Sequence, residues 1–294
     1  ERFWVSEHHN HPTIVGTAPE IVMAAIAATT RSIRIGSAGI MLPHYSAFKV
    51  AEVFRVLDAL APGRIDMGLG RAPGSDGRTA FALNPMANER PEHFPADVRD
   101  LMAWVHNEPL VDGHPFAAVH AYPQGPTAPE IWILGSSDYG AQVAALFGLP
   151  YCYAWFFSDG AGGERAIDLY KKSYRPSARH PTPRSGLCVA ALAAPTMDEA
   201  QYHLTPRVLN RIRRDRGQLG PLQSPEDAAK ALMAEDQGRI ERIRRDAFAG
   251  TGPEVMARIV ELKDRVGVDE MAVVTWAYDE EARRRSYSEL AKAF

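Results

Sequence analysis

Seven times along this chain an apolar run of strand length is followed by a stretch with helical spacing, and this alternation limits the fold more than any other feature. The strand-like runs are Arg2 to Val5, "SIRIGSAGIML", "RIDMGLGRAP", "EIWILGSS", "LPYCYAWFF", "GLCVAALAAPT" and "EMAVVTWAYD". Their partners are "APEIVMAAIAATT", with Pro19 placed for a first turn, then "AFKVAEVFRVLDAL", a polar loop leading into "FPADVRDLMAWVHN", "YGAQVAALFG", "ERAIDLYKKSY", a long helical region from Met197, and "EEARRRSYSELAKAF". Near-continuous apolar runs mark strands buried on both faces, and strand–helix alternation joins such strands in parallel. The expectation is an α/β fold with a parallel sheet.

Within that class a (β/α)8 TIM barrel fits better than an open doubly wound sheet. Polar and small residues cluster just past the C-terminal ends of several different strands: Glu7 and His8, Ala38 and Gly39, Arg71, Ser136 and Ser137. An open sheet gathers such residues at one switch point, whereas a barrel collects them from loops all round its rim. A barrel needs eight strands, so with seven visible and Glu1 in place of a methionine, the first strand and helix are expected upstream of the numbered chain. Residues 1–294 are expected to form one barrel domain. Residues 206–250, rich in Arg, Asp, Glu and Gln, are expected as a solvated helical excursion before the last strand, or a lid or subunit contact.

Composition narrows the partners. The 294 residues carry 33 basic and 36 acidic side chains, well mixed, for a net charge of −3, so no basic surface advertises nucleic acid. No apolar stretch approaches the ~20 residues of a membrane span, and no charged-then-apolar leader opens the chain, so a soluble, cytoplasmic protein acting on a small molecule is expected. Cys152 and Cys188, each inside an apolar run, fit reduced core cysteines rather than a disulfide framework.

Four constellations carry chemistry. "FWVSEHHNH" invites a metal site, but along an extended strand Glu7 and His9 point one way and His8 the other, a poor arrangement for chelation. Later strand ends supply Gly, Ala, Ser, Trp and Arg instead of ligands, with His44 the one recruit. "DMGLGRAPGSDG" lacks the full dinucleotide fingerprint; its small residues leave room for a flat ring beside the backbone, and Arg71 can meet a phosphate or form a surface ion pair. In "LGSSDYGAQVAALFG" a strand ends in Gly135, Ser136 and Ser137 just before a helix, so free N–H groups, the helix dipole and two hydroxyls converge as a phosphate cradle, unless Ser137 or Asp138 simply caps the helix. "GSAGIMLP" again leaves ring-sized room at Ala38 and Gly39.

Taken in order, "FWVSEHHN", "IRIGSAGIMLP", "KVAEVFRVLDALAPGRIDMGLGRAPG", "ILGSSDYGAQVAALFGLPYCYA" and "EEARRRSYSELA" resemble the bacterial luciferase-like flavin monooxygenase family, in its branch nearest the luciferase alpha chain. The resemblance implies an eight-stranded barrel that binds reduced FMN, supplied by a separate flavin reductase, and reacts it with molecular oxygen to oxidise a small organic substrate; relatives are often homodimers. It makes His8 the catalytic histidine near the flavin ring and Glu7 its supporting acid. It puts Ala38 and Gly39 beside the ring, joined by a non-prolyl cis peptide bond, and Gly70 where luciferase carries a reactive cysteine. Arg71, Gly135, Ser136, Ser137 and Tyr139 take the phosphate side. With glycine at position 70, light emission and long-chain aldehyde oxidation are not implied. Trp155, Phe156 and Trp276 are expected either to wall an apolar pocket or to pack the rim. The deazaflavin F420 is the alternative cofactor, and an FMN-binding protein without turnover the alternative of another class.

Overall fold

The computed structural model describes residues 1–294 except 15, 88, 89 and 219. Contacts divide it into two compact units, residues 1–151 with 169–183, and residues 152–168 with 184–294.

The first unit begins with β1 (Arg2–Val5), α1 (Pro19–Thr29), β2 (Arg34–Met41), α2 (Ala47–Leu60), β3 (Ile65–Gly70), α3 (Gly77–Leu83), α4 (Phe94–His106), β4 (Glu130–Gly135) and α5 (Asp138–Phe147). β1, β2, β3 and β4 pair in parallel in chain order, with Phe3 opposite Ile35, Ile35 opposite Ile65 and Met67 opposite Ile131. Ile35, Ile65, Met67, Leu69, Trp132 and Ile133 are fully buried, as strands covered on both faces require. α3 lies where the sequence suggested only a polar loop; Asp76 starts it, accepting the Arg78 and Thr79 amides.

At the N-terminal ends of these strands the charges close on one another. The fully buried Asp66 accepts from Arg2 Nη1 at 2.7 Å, Trp4 Nε1 at 2.8 Å and Arg34 Nε at 2.9 Å, while Arg2 also donates to Glu130 at 3.1 Å. Near the other end, β2 and β3 approach so closely that Gly39 and Gly68 leave no room for a side chain. A Cβ at Gly68 would stand 2.1 Å from the Ser37 carbonyl oxygen, and one at Gly39 would stand 2.8 Å from the Gly68 oxygen. The pairing register shifts between Ser37 and Ile40, and the bond between Ala38 and Gly39 is cis.

β5 (Tyr151–Ala154) and α6 (Gly163–Ser173) run across the division of the chain. The second unit then holds β6 (Ser185–Ala193), α7 (Met197–Asp215), α8 (Pro225–Leu232), α9 (Gln237–Asp246), β7 (Phe248–Gly250), α10 (Gly252–Val266), β8 (Glu270–Val274) and α11 (Glu280–Ala293). β8 pairs with Gly186–Ala190 of β6, and the three-residue β7, inside a stretch the sequence suggested was helical, pairs with Ala191–Ala193 of the same strand. The segment after β6 is more than a solvated excursion. Leu204, Val208, Leu209 and Ile212 of α7 share a buried cluster with Ala228, Leu232 and Ile240 from α8 and α9. Pro206 removes one backbone donor from α7, and Thr205 Oγ1 and Arg244 Nη1 both donate to the nearby Gln201 carbonyl.

Candidate active site

All ten residues expected at the site lie in the first unit, nine of them in the C-terminal halves of β2 to β4 or in the loops after β1, β3 and β4, and Tyr139 in the first turn of α5. The loop after β1 holds the histidines. Glu7 is fully buried: its Oε1 accepts the Tyr45 hydroxyl and His9 Nε2, each at 2.7 Å, and its Oε2 accepts the Met41 amide at 3.0 Å. This carboxylate therefore ties the end of β1 to the end of β2, two residues beyond the cis bond. Burial, then the hydrogen bond to Glu7, holds the Tyr45 hydroxyl protonated well above the usual phenol range.

His8, like Glu7 and His9, lies beyond β1, which ends at Val5, and makes a contact separate from theirs. Its Nδ1 lies 3.0 Å from the Gly74 carbonyl. A carbonyl only accepts, so Nδ1 carries the proton and the neutral ring presents Nε2 as its basic atom. His11 is held differently: its Nδ1 accepts the Thr13 and Ile14 amides, both at 3.1 Å, and its ring lies 5.8 Å from that of His8. Burial, reinforced by His8, lowers the pKa of His11. His44 Nε2 donates to the Pro73 carbonyl at 2.7 Å. Among the described residues no group of three or more His, Cys, Asp or Glu side chains is placed to hold a metal ion.

The loop after β3 is the other half of the clasp. Its Pro73 and Gly74 carbonyls receive His44 and His8, and Asn10 Nδ2 reaches Asp76 and Thr79 across it. Gly74 has φ +59°, a left-handed conformation that favours glycine, and a Cβ there would have to push aside Met41 Cε, 2.5 Å away. At the start of this loop Arg71 is exposed and stacks on the Tyr139 ring, 4.0 Å from its centroid. Among the described residues no carboxylate pairs with it. Gly70, unlike Gly39 and Gly68, is unconstrained: the nearest atom a Cβ would meet is Met41 Sδ at 3.6 Å.

Tyr139 stands in the first turn of α5, which opens directly after β4. Ser137 is the N-cap residue, yet its side chain makes no capping hydrogen bond. Ser136 and Ser137 are exposed, so their hydroxyls and the first amides of α5 remain available beside Arg71. The aromatic residues of the second unit divide. Trp155 follows β5 in a short 3-10 turn and is buried, and a Cβ at Gly160 or Gly163 would collide with its ring, which makes it packing. Phe156 and Trp276 are half-buried. Tyr45, Asn10 and Gly74 had no mark in the sequence; only their partners give them work.

An α/β protein with uncommitted donors at the C-terminal ends of parallel strands belongs to the class that binds a ligand there. More narrowly, the sequence model of the luciferase-like monooxygenase family matches residues 1–270, and the chain belongs to that family. It is 39% identical to the uncharacterized protein YwcH of Bacillus subtilis (strain 168), over 100% of this chain and 88% of the relative. It is 34% identical to the N-acetyl-S-alkylcysteine monooxygenase of the same organism, over 99% of this chain and 87% of the relative. The crystal structure of apo-MsnO8 superposes with a TM-score of 0.88 at 34% identity, covering 100% of this chain and 86% of that one. The fold is thus of the TIM-barrel-like α/β class expected from the alternation. Solved structures sharing the fold at 19% and 14% identity are complexes with FMN and with an F420 adduct, respectively.

Proposed function

We propose that this chain is a flavin-dependent monooxygenase that takes reduced FMN from a separate reductase and uses molecular oxygen to oxidise a small organic substrate. The observation that carries the reading is the set of anion donors left over in the first unit: Arg71 without a carboxylate, beside the start of α5, whose Ser137 hydroxyl caps nothing. These groups fit a phosphate. Arg71 would supply the charge, Gly135, Ser136 and Ser137 the neutral donors, and Tyr139 the platform that keeps the guanidinium in place. Ala38, Gly39 and Gly70 present little side chain on the ring side of the same strand ends.

Reduced FMN, when bound, supplies the activation of oxygen. The chain's own residues supply position and a proton. The Gly74 carbonyl fixes the His8 tautomer, so Nε2 is the atom that takes a proton from, or in the charged ring returns one to, the reacting partner. Glu7 is a positioning residue: it holds the Met41 amide, Tyr45 and His9, and so keeps the β1 and β2 ends together.

His8→Ala should slow substrate oxygenation by about 10²–10⁴-fold or divert oxygen to hydrogen peroxide, with FMN affinity unchanged. The check is oxygen uptake and peroxide yield during turnover with reduced FMN. Undiminished, fully coupled turnover would remove His8 from the reaction. The same donors suit the phosphate of F420. A fluorescence titration with each cofactor separates the two, and tighter binding of F420 would replace FMN in this reading.

A further inference from the structure

Helix α7 carries three arginines that the proposed reaction leaves unused, Arg207, Arg211 and Arg214. Spacings of four and three residues put them on one face of the helix, flanking the stripe of Leu204, Val208 and Ile212 that is buried in the helical cluster. This face meets the loop that leaves β5: Arg211 Nη2 is 3.2 Å from Asp159 Oδ2, and Arg214 Nη2 donates to the Phe157 carbonyl at 2.9 Å. The charges there do not balance. Asp159 pairs with Arg211, and Asp215 is shared among Arg211, Arg214 and Arg239 at 3.4, 3.6 and 2.7 Å. Arg207 has neither an ion pair nor a hydrogen bond among the described residues, and Arg211 Nη1 is buried with no acceptor. Burial, with Arg211 and Arg214 adding to it against Asp159, pushes the Arg207 guanidinium below its usual value.

A buried guanidinium N–H without an acceptor is destabilising, and native chains usually pair such a group with protein, ordered water or a bound ligand. Planar oxyanions match the guanidinium fork. The loop in question directly follows β5. It also carries Phe156 and Phe157, whose rings stand 4.4 Å apart.

We propose that Arg207 and Arg211 bind the carboxylate or sulfonate of a small organic acid with an apolar body. This site does not rest on the monooxygenase reading.

The test is isothermal titration of the whole, cofactor-free protein with 4-phenylbutanoate and with its neutral counterpart 4-phenylbutanamide. The acid should bind at least about tenfold more tightly than the amide. Arg207→Met and Arg211→Met should each weaken the acid by about ten- to hundredfold and leave the amide unchanged, with Arg207→Lys in between. A melting curve for each variant checks its fold, and the acid–amide comparison on the unaltered protein stands whatever the variants do. Equal binding of acid and amide, no binding of either, or full acid affinity in a folded Arg207→Met protein overturns the site. Inorganic sulfate competing as tightly as the organic acid overturns the apolar body assigned to the ligand.

Discussion

At the N-terminal ends of β1 to β4, Arg2, Arg34, Asp66 and Glu130 satisfy one another, whereas at the C-terminal ends of the same strands Arg71 meets no carboxylate and the Ser137 hydroxyl caps nothing. The residue types are alike, and the strands are the same. What differs is closure. A carboxylate taking three donors in a buried spot holds strands in register, while a cation resting on an aromatic face keeps its hydrogen bonds in reserve. At the first end these charges are closed by one another; at the second Glu7 is closed in the same way, while Arg71 and Ser137 keep donors free.

That contrast can be broken most severely at Asp66. Asp66→Ala leaves the donors of Arg2, Trp4 and Arg34 without their shared acceptor and should lower the unfolding free energy by about 3–5 kcal/mol, measured by denaturant titration. A loss below about 1 kcal/mol would mean that this end is not held by its charges. The closed end also has a pH signature. His106 lines a cavity of about 190 Å³ with Glu130, Arg179 and His180, and burial first, then Arg179, hold its pKa down at about 4. The folded protein thus binds this proton less readily than the unfolded chain. Its stability should be full above the ordinary histidine pKa of about 6.5 and fall as pH drops toward 4, by roughly 3 kcal/mol at most. His106→Asn should flatten that slope in melts run between pH 7 and pH 4.

The open end should respond in binding rather than in stability. Arg71→Gln is expected to weaken FMN by about ten- to hundredfold while changing the unfolding free energy by no more than about 0.5 kcal/mol; fluorescence titration and denaturation read the two separately. Smallest of all should be Gly70→Ala. A Cβ at Gly70 meets nothing nearer than 3.6 Å, against 2.1 Å at Gly68, so stability should move by less than about 1 kcal/mol. Equal damage from Gly70→Ala and Gly68→Ala in parallel melts would show the open end to be as tightly built as the closed one.

The elements were legible to the extent that they were long. The run Ala47 to Leu60 shows its helix plainly because its fourteen residues alternate core and solvent faces over several turns. β7 has three residues and no period to show; its pairing with Ala191–Ala193 makes it a strand. α3 was hidden for a similar reason, with one buried residue, Ala80, among seven. At the site, the sequence suggests one extended strand through Glu7, His8 and His9, whereas β1 ends at Val5 and these residues lie in the loop that follows. It could not show that Glu7 would be fully buried under three donors, because Tyr45 and the Met41 amide are more than thirty residues away. Nor could the charge pattern of α7 show that Arg207 would lack a partner while Arg211 and Arg214 found theirs.

By itself, the sequence determined the parallel α/β class, the strand ends at which small and polar residues gather and the residue types available there, because apolar period and strand direction are local properties of the chain. The tertiary structure alone decided which of those polar groups are used up and which remain. Asp66 and Arg71 are both charged residues of the segment that forms β3 and its exit; only the neighbours that folding brings to each make one a strut and the other a free donor. Pairing depends on distances between residues far apart in the chain, and no local pattern records them.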